Sequence, residues 1–91
     1  IIAMNWRNLH YEIDIVARQQ NILVFVEVKT RSTFKYGFPD ESIDYKKECR
    51  LREAAEIYIE QEDLHNEIRF DIVSIVKNNL EEKVYHITDA F

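Results

Sequence analysis

One cysteine, one glycine and one proline are all that this chain of 91 residues has of the residue types that staple or sharply bend a small protein. A lone Cys49 forms no internal disulfide, which excludes a disulfide-held secreted scaffold and fits a reducing, cytoplasmic compartment. A single glycine excludes a Gly-rich phosphate loop. The longest apolar run, Ile22–Val26, is far short of the ~20 residues a membrane helix needs, so no membrane partner is expected. Ile1–Trp6 passes straight into Arg7, Asn8, Leu9 and His10, with no signal-peptide pattern. His10, His65 and His86 are scattered, without zinc-like spacing. The chain also starts on Ile rather than Met, which reads as a missing N-terminal piece.

Positive charge is scarce as well. The net charge of −5 argues at first against nucleic acid, but its distribution is uneven. Lys29, Arg31, Lys35, Lys46, Lys47, Arg50 and Arg52 fall within 24 residues, whereas Glu53–Glu67 holds six acids and no Lys or Arg. Such asymmetry gives either a basic face on an acidic protein or two ordinary solvated stretches. With 46% apolar and 32% charged residues the chain is globular rather than disordered. Its length allows one domain over 1–91, burying roughly 60–65% of the unfolded surface.

Periodicity sets the elements. Ile1–Met4 reads as a short strand or the end of one. Glu12–Arg18 alternates, with Glu12, Asp14 and Val16 on one face and Ile13, Ile15 and Ala17 on the other. After a polar turn at Gln19–Asn21, Ile22–Thr30 reads as a buried central strand. Ser32–Asp40, which carries the glycine and the proline, is a loop, and Asp44 is a helix N-cap. Leu51, Ala54, Ala55 and Tyr58 form the apolar stripe of a helix running to about Glu62. Arg69–Val76 and Lys83–Thr88 form a last strand pair around a turn at Asn78–Asn79.

The chemistry sits on the central hairpin. Leu23–Val26 runs into Glu27, Val28 and Lys29, and alternation puts Glu27 and Lys29 on one face. With the turn at Gln20–Asn21, Gln19 pairs with Ile22, Asp14 faces Glu27 and Glu12 faces Lys29. Facing carboxylates repel unless a cation lies between them, and Mg²⁺ accepts one or two carboxylates with waters and phosphate. A structural ion pair on a sheet edge is the competing reading. Lys29 in a metal site would orient the attacking water or stabilise the charge on the phosphorane. Trp6 and the tyrosines read as core, with Tyr36 on the loop able to touch substrate, and Asp71 and Cys49 read as structural.

Asn5-Trp6-Arg7, Glu12-Ile13-Asp14-Ile15-Val16-Ala17-Arg18 and Val24-Phe25-Val26-Glu27-Val28-Lys29-Thr30-Arg31 together resemble the YraN-like family. The likeness continues through Gly37-Phe38-Pro39, Lys47, Leu51–Tyr58, Arg69-Phe70-Asp71-Ile72-Val73 and Ala90-Phe91. That family comprises predicted endonucleases similar to Holliday junction resolvases. The resemblance implies the PD-(D/E)xK, restriction-endonuclease-like α/β fold: a mixed central sheet flanked by helices, with the family's N-terminal helix absent here. It makes Asp14 and Glu27 metal ligands, the Val28 carbonyl a further ligand and Lys29 the motif's lysine, around Mg²⁺ or Mn²⁺. Glu12 matches a family glutamate of open role, and Tyr11 stands where the family usually has glycine. Pro39-Asp40 spells the motif's first letters but lies after Glu27 and Lys29.

The expectation is a metal-dependent DNA endonuclease acting on branched or structured DNA, with Arg31, Lys46, Lys47 and Arg50 on the backbone. A resolvase-like enzyme needs two active sites, which suggests a homodimer that no sequence feature demands. The alternative is a non-catalytic nucleic-acid- or protein-binding module on the same fold.

Overall fold

A computed structural model describes residues 1–31 and 45–91. Its elements are β1 (Ala3–Asn8), β2 (Tyr11–Gln19), β3 (Ile22–Arg31), α1 (Tyr45–Glu62), β4 (Glu67–Lys77) and β5 (Glu82–Ile87). The Ser32–Asp40 loop, with Lys35, Tyr36, Gly37 and Pro39, and the Asp44 cap lie outside the described residues. Five strands form one sheet in chain order, antiparallel except for the parallel pair β3–β4. Two adjacent parallel strands need a long crossover, and α1 lies within it. This is the α/β architecture of the restriction-endonuclease-like fold, with one helix among the described residues. That helix is not long and apolar enough to cross a membrane.

Local chemistry explains the turns. With so little glycine, left-handed backbone falls to other residues: Asn5, Leu9, Gln20, Asp63 and Asp89 all have φ of 51–55°. Leu9 and Gln20 open the two-residue hairpin loops, where positive φ matches the twist of the strands. Asp63 ends α1, and the Leu64 amide reaches back to the Ile59 carbonyl at 3.1 Å, a Schellman closure. Gln19 pairs with Ile22, as the hairpin register requires. At the other hairpin Asn78 Oδ1 accepts the amides of Leu80 and Glu81, both at 2.8 Å.

The helix buries Leu51, Ala54, Ala55 and Tyr58, its expected stripe, against Ile13, Val16, Leu23, Phe25 and Phe70. Tyr58 meets the rings of Trp6 and Phe25 edge to face, at 5.6 and 5.9 Å. Phe91 stacks on Phe70 at 5.0 Å, and the Arg52 guanidinium lies 5.1 Å from the centre of Phe70.

Two expectations need correction. The first strand is Ala3–Asn8 rather than Ile1–Met4, because pairing of Arg7 with Glu12 and Asn8 with Tyr11 holds its polar half in the sheet. Strict alternation also fails in β2. Ile13 and Val16 are three residues apart, yet both are fully buried in the one core cluster. Their partners on β1, Trp6 and Ala3, pack against that same core. The phase slips at Asp14, beside the left-handed Asn5 of β1, so Asp14 does not share a regular face with Val16.

Among the described residues, Asp71 is the one charged side chain that is buried. Arg69 donates to both its oxygens, at 2.9 and 3.0 Å, and the Asp89 amide donates at 3.0 Å. His86 Nε2 lies 2.7 Å from Oδ2. Burial on its own raises the pKa of this carboxyl, but Arg69, the Asp89 amide and His86 together outweigh it and hold the group below its ordinary value. A folded-state pKa below the unfolded one means stability present above about pH 4 and lost as pH falls through the folded value. Asp71→Asn is expected to cost about 3 kcal/mol in urea unfolding at pH 7. The gap to the parent is expected to narrow below about pH 4, and a gap unchanged down to pH 2 would contradict this account.

Candidate functional site

β2 and β3 pair from Gln19↔Ile22 to Ile15↔Val26, while β3 stays paired with β4 along its whole length. Beyond Val26 the Val28 amide donates instead to Asp14 Oδ2, at 2.9 Å. A side chain thus replaces the main-chain acceptor of the departing strand. Where the strands part, a cleft of about 320 Å³ opens, walled by Asp14, Glu27, Val28, Glu12, Lys47 and Arg50. The helix supplies the two cations from its first turns.

The pairing of Asp14 with Glu27 expected from the hairpin register lies beyond the end of the ladder at Ile15↔Val26, and the two residues instead line one cleft. Glu27 is mostly buried, with its side chain 15% exposed, and its Oε1 lies 2.7 Å from Lys47 Nζ. Lys47, expected on substrate phosphate, is here the counter-ion of a carboxylate that would otherwise face Asp14 with like charge. The expected facing of Glu12 and Lys29 is not made. Glu12 pairs across β1 with Arg7, at 3.6 Å, because β2 has left β3 by that point. Lys29 is half-buried opposite Ser74 of β4 and is not among the residues walling the cleft. Arg31 ends β3, and Lys46 lines a neighbouring groove.

Sequence reasoning missed His10, which also lines the cleft from the β1–β2 turn. Its signal was position alone, one residue before the strand that carries Asp14. Next to it, Tyr11 donates its hydroxyl to Glu53 Oε2 at 2.7 Å, and that bond to a carboxylate raises the pKa of the phenol. The exposed Tyr45 is not the core residue the sequence suggested, whereas Tyr58 is, and Trp6 and Tyr11 are partly buried against that core.

Among the described residues no group of three or more His, Cys, Asp or Glu is placed to hold a metal. The acids lining the cleft are Glu12, Asp14 and Glu27, with His10 and Val28 beside them. Oxygen donors of this kind suit a hard divalent ion that keeps several waters, and would not suit zinc.

A structural role for Asp14 follows from its bond to Val28. Asp14→Ala is expected to leave a half-buried amide unsatisfied and to cost about 1–3 kcal/mol in urea unfolding. Asp14→Asn keeps an acceptor and is expected to cost clearly less; equal losses would show that the bond does not matter.

Residues 1–75 match the model of an uncharacterised protein family, UPF0102. A UPF0102 protein of Christiangramia forsetii is 42% identical over the whole chain, which spans 76% of that relative. Another, from Flavobacterium psychrophilum, is 44% identical with the same coverage. A third, from Dictyoglomus turgidum, is 46% identical over 84% of the chain and 65% of its own length.

Proposed function

The chain belongs to the uncharacterised UPF0102 family, and we propose that it is a metal-dependent endonuclease that hydrolyses phosphodiester bonds of DNA. The observation that carries this reading is the convergence of Asp14 and Glu27 in one cleft where two strands part, beside cationic residues at the start of α1. Carboxylates with adjacent cations match what phosphodiester hydrolysis needs: a site for a divalent ion and partners for the phosphate oxygens.

Asp14 and Glu27 would hold Mg²⁺ or Mn²⁺, with the Val28 carbonyl as a further ligand. When bound, such an ion supplies Lewis-acid activation of the phosphate and of water. The protein's own side chains supply the rest. The Val28 amide holds the Asp14 carboxylate in place. Lys47 neutralises Glu27 and would be in reach of a phosphate oxygen seated in the cleft. Arg50 adds a second cation on the same wall, and Lys46 and Arg31 extend the basic stretch along the chain. Lys29, next along β3, would orient the attacking water or stabilise the pentacoordinate phosphate. Few groups for reading base edges are present, so shape and phosphate would guide recognition, which suits branched or structured DNA. A homodimer would place two such clefts on one junction.

The test is calorimetric titration with Mn²⁺ and a cleavage assay on branched DNA, with Asp14→Asn and Glu27→Gln in parallel. Both substitutions are expected to abolish Mn²⁺ binding and cutting while the fold survives. A parent chain that takes up no Mn²⁺ would overturn the proposal. Metal-independent, salt-sensitive DNA binding that survives Asp14→Asn would favour the binding-module reading. Lys47→Ala separates the two roles of that lysine. Removing a competing cation is worth on the order of 1 kcal/mol, so Mn²⁺ should bind several-fold tighter while cleavage falls.

A further inference from the structure

The cleft continues past Arg50. His10 and Arg50 also line a second groove, of about 350 Å³, shared with Tyr11, Tyr45, Lys46 and Glu53. Three of the residues lining it carry rings, and Cys49 lies among them. His10 and Tyr11 pack against one another with centroids 4.3 Å apart and planes tilted by 32°. The Tyr11 hydroxyl is tied to Glu53, which fixes that ring. Tyr45, on the first residue of α1, is 77% exposed and so contributes little to the core. Among the described residues lining the groove, Lys46 and Arg50 bring two cations against the one acid Glu53. Aromatic faces beside cations are how proteins hold single-stranded nucleic acid, bases on the rings and phosphates on the charges. A paired base is already stacked and cannot use such rings.

We propose that this groove is a base-stacking subsite for an unpaired nucleotide next to the phosphate seated in the cleft. The ligand is a single-stranded DNA segment adjoining a duplex. Its base lies against Tyr45 and the His10–Tyr11 pair, and its phosphates lie on Lys46 and Arg50. The proposal rests on the endonuclease reading for the position of that phosphate.

The test compares a duplex carrying a short single-stranded overhang with a blunt duplex of equal phosphate count. Affinities are read by fluorescence anisotropy with Ca²⁺ as the divalent ion, and cutting of both DNAs is read in Mn²⁺. The parent should bind the overhang DNA more tightly. Tyr45→Ala should weaken overhang binding by about 5- to 150-fold and blunt-duplex binding by less than about twofold, with Tyr45→Trp restoring it. A 2-aminopurine at the first unpaired position should lose emission on binding the parent but not on binding Tyr45→Ala. Equal or absent effects of Tyr45→Ala and His10→Ala on the two DNAs would overturn the subsite. Asp14-dependent cutting without Tyr45 dependence overturns the subsite alone. Tyr45-dependent binding without any cutting overturns the endonuclease reading alone, and binding to neither DNA overturns both.

Discussion

A strand that leaves its neighbour in a sheet abandons main-chain groups that must find other partners or be left unpaired. β2 leaves β3 beyond the pair Ile15↔Val26, and the Asp14 carboxylate takes the Val28 amide. That one bond lets the sheet open without stranding a donor. It also fixes a carboxylate at the point of opening, on the same cleft as Glu27. The phase slip in β2 belongs to the same event: Ile13 and Val16 can both enter the core because the strand turns at Asp14 between them. Asp14 thus ends a ladder and begins a site.

The parallel pairing of β3 with β4 adds the second half. It forces a crossover, and the crossover helix packs its Leu51–Tyr58 stripe over Phe25 and Phe70. Once that stripe is buried, the first turns of α1 project towards the opening, and Lys47 meets Glu27. Packing at one end of the helix therefore decides the electrostatics at the other. The Asp71 cluster anchors the chain's end in the same way: it joins Arg69, His86 and the turn at Asp89 around one buried carboxylate.

Scarcity of glycine leaves its mark throughout. Hairpin turns, a helix end and a mid-strand kink all rest on non-glycine residues with left-handed backbone, each at a cost of order 1–3 kcal/mol. Such positions persist only where the surrounding pairs and packing enforce them. Two of them, Asn5 and Leu9, lie on the β1–β2 arm, and the residue after Leu9 is His10, which lines the cleft.

Much was legible in the sequence because it depends on short-range rules. The stripe of α1 follows from 3.6-residue periodicity, and the β2–β3 register follows from a two-residue turn, which together point to Asp14 and Glu27 as partners. The unbroken apolar run Leu23–Val26 also marks β3 as the buried strand. What alternation could not reveal is where it stops, because the slip at Asp14 is imposed by β1 and the core rather than by β2 itself. The pairing of Glu12 with Arg7, the ion pair of Lys47 with Glu27 and the meeting of His10, Tyr11 and Tyr45 join residues from different elements. Local periodicity carries no term for contacts across elements, so the sequence by itself put Asp14 and Glu27 on the two arms of one hairpin, while their common cleft and the charges and rings around it were decided by the tertiary fold.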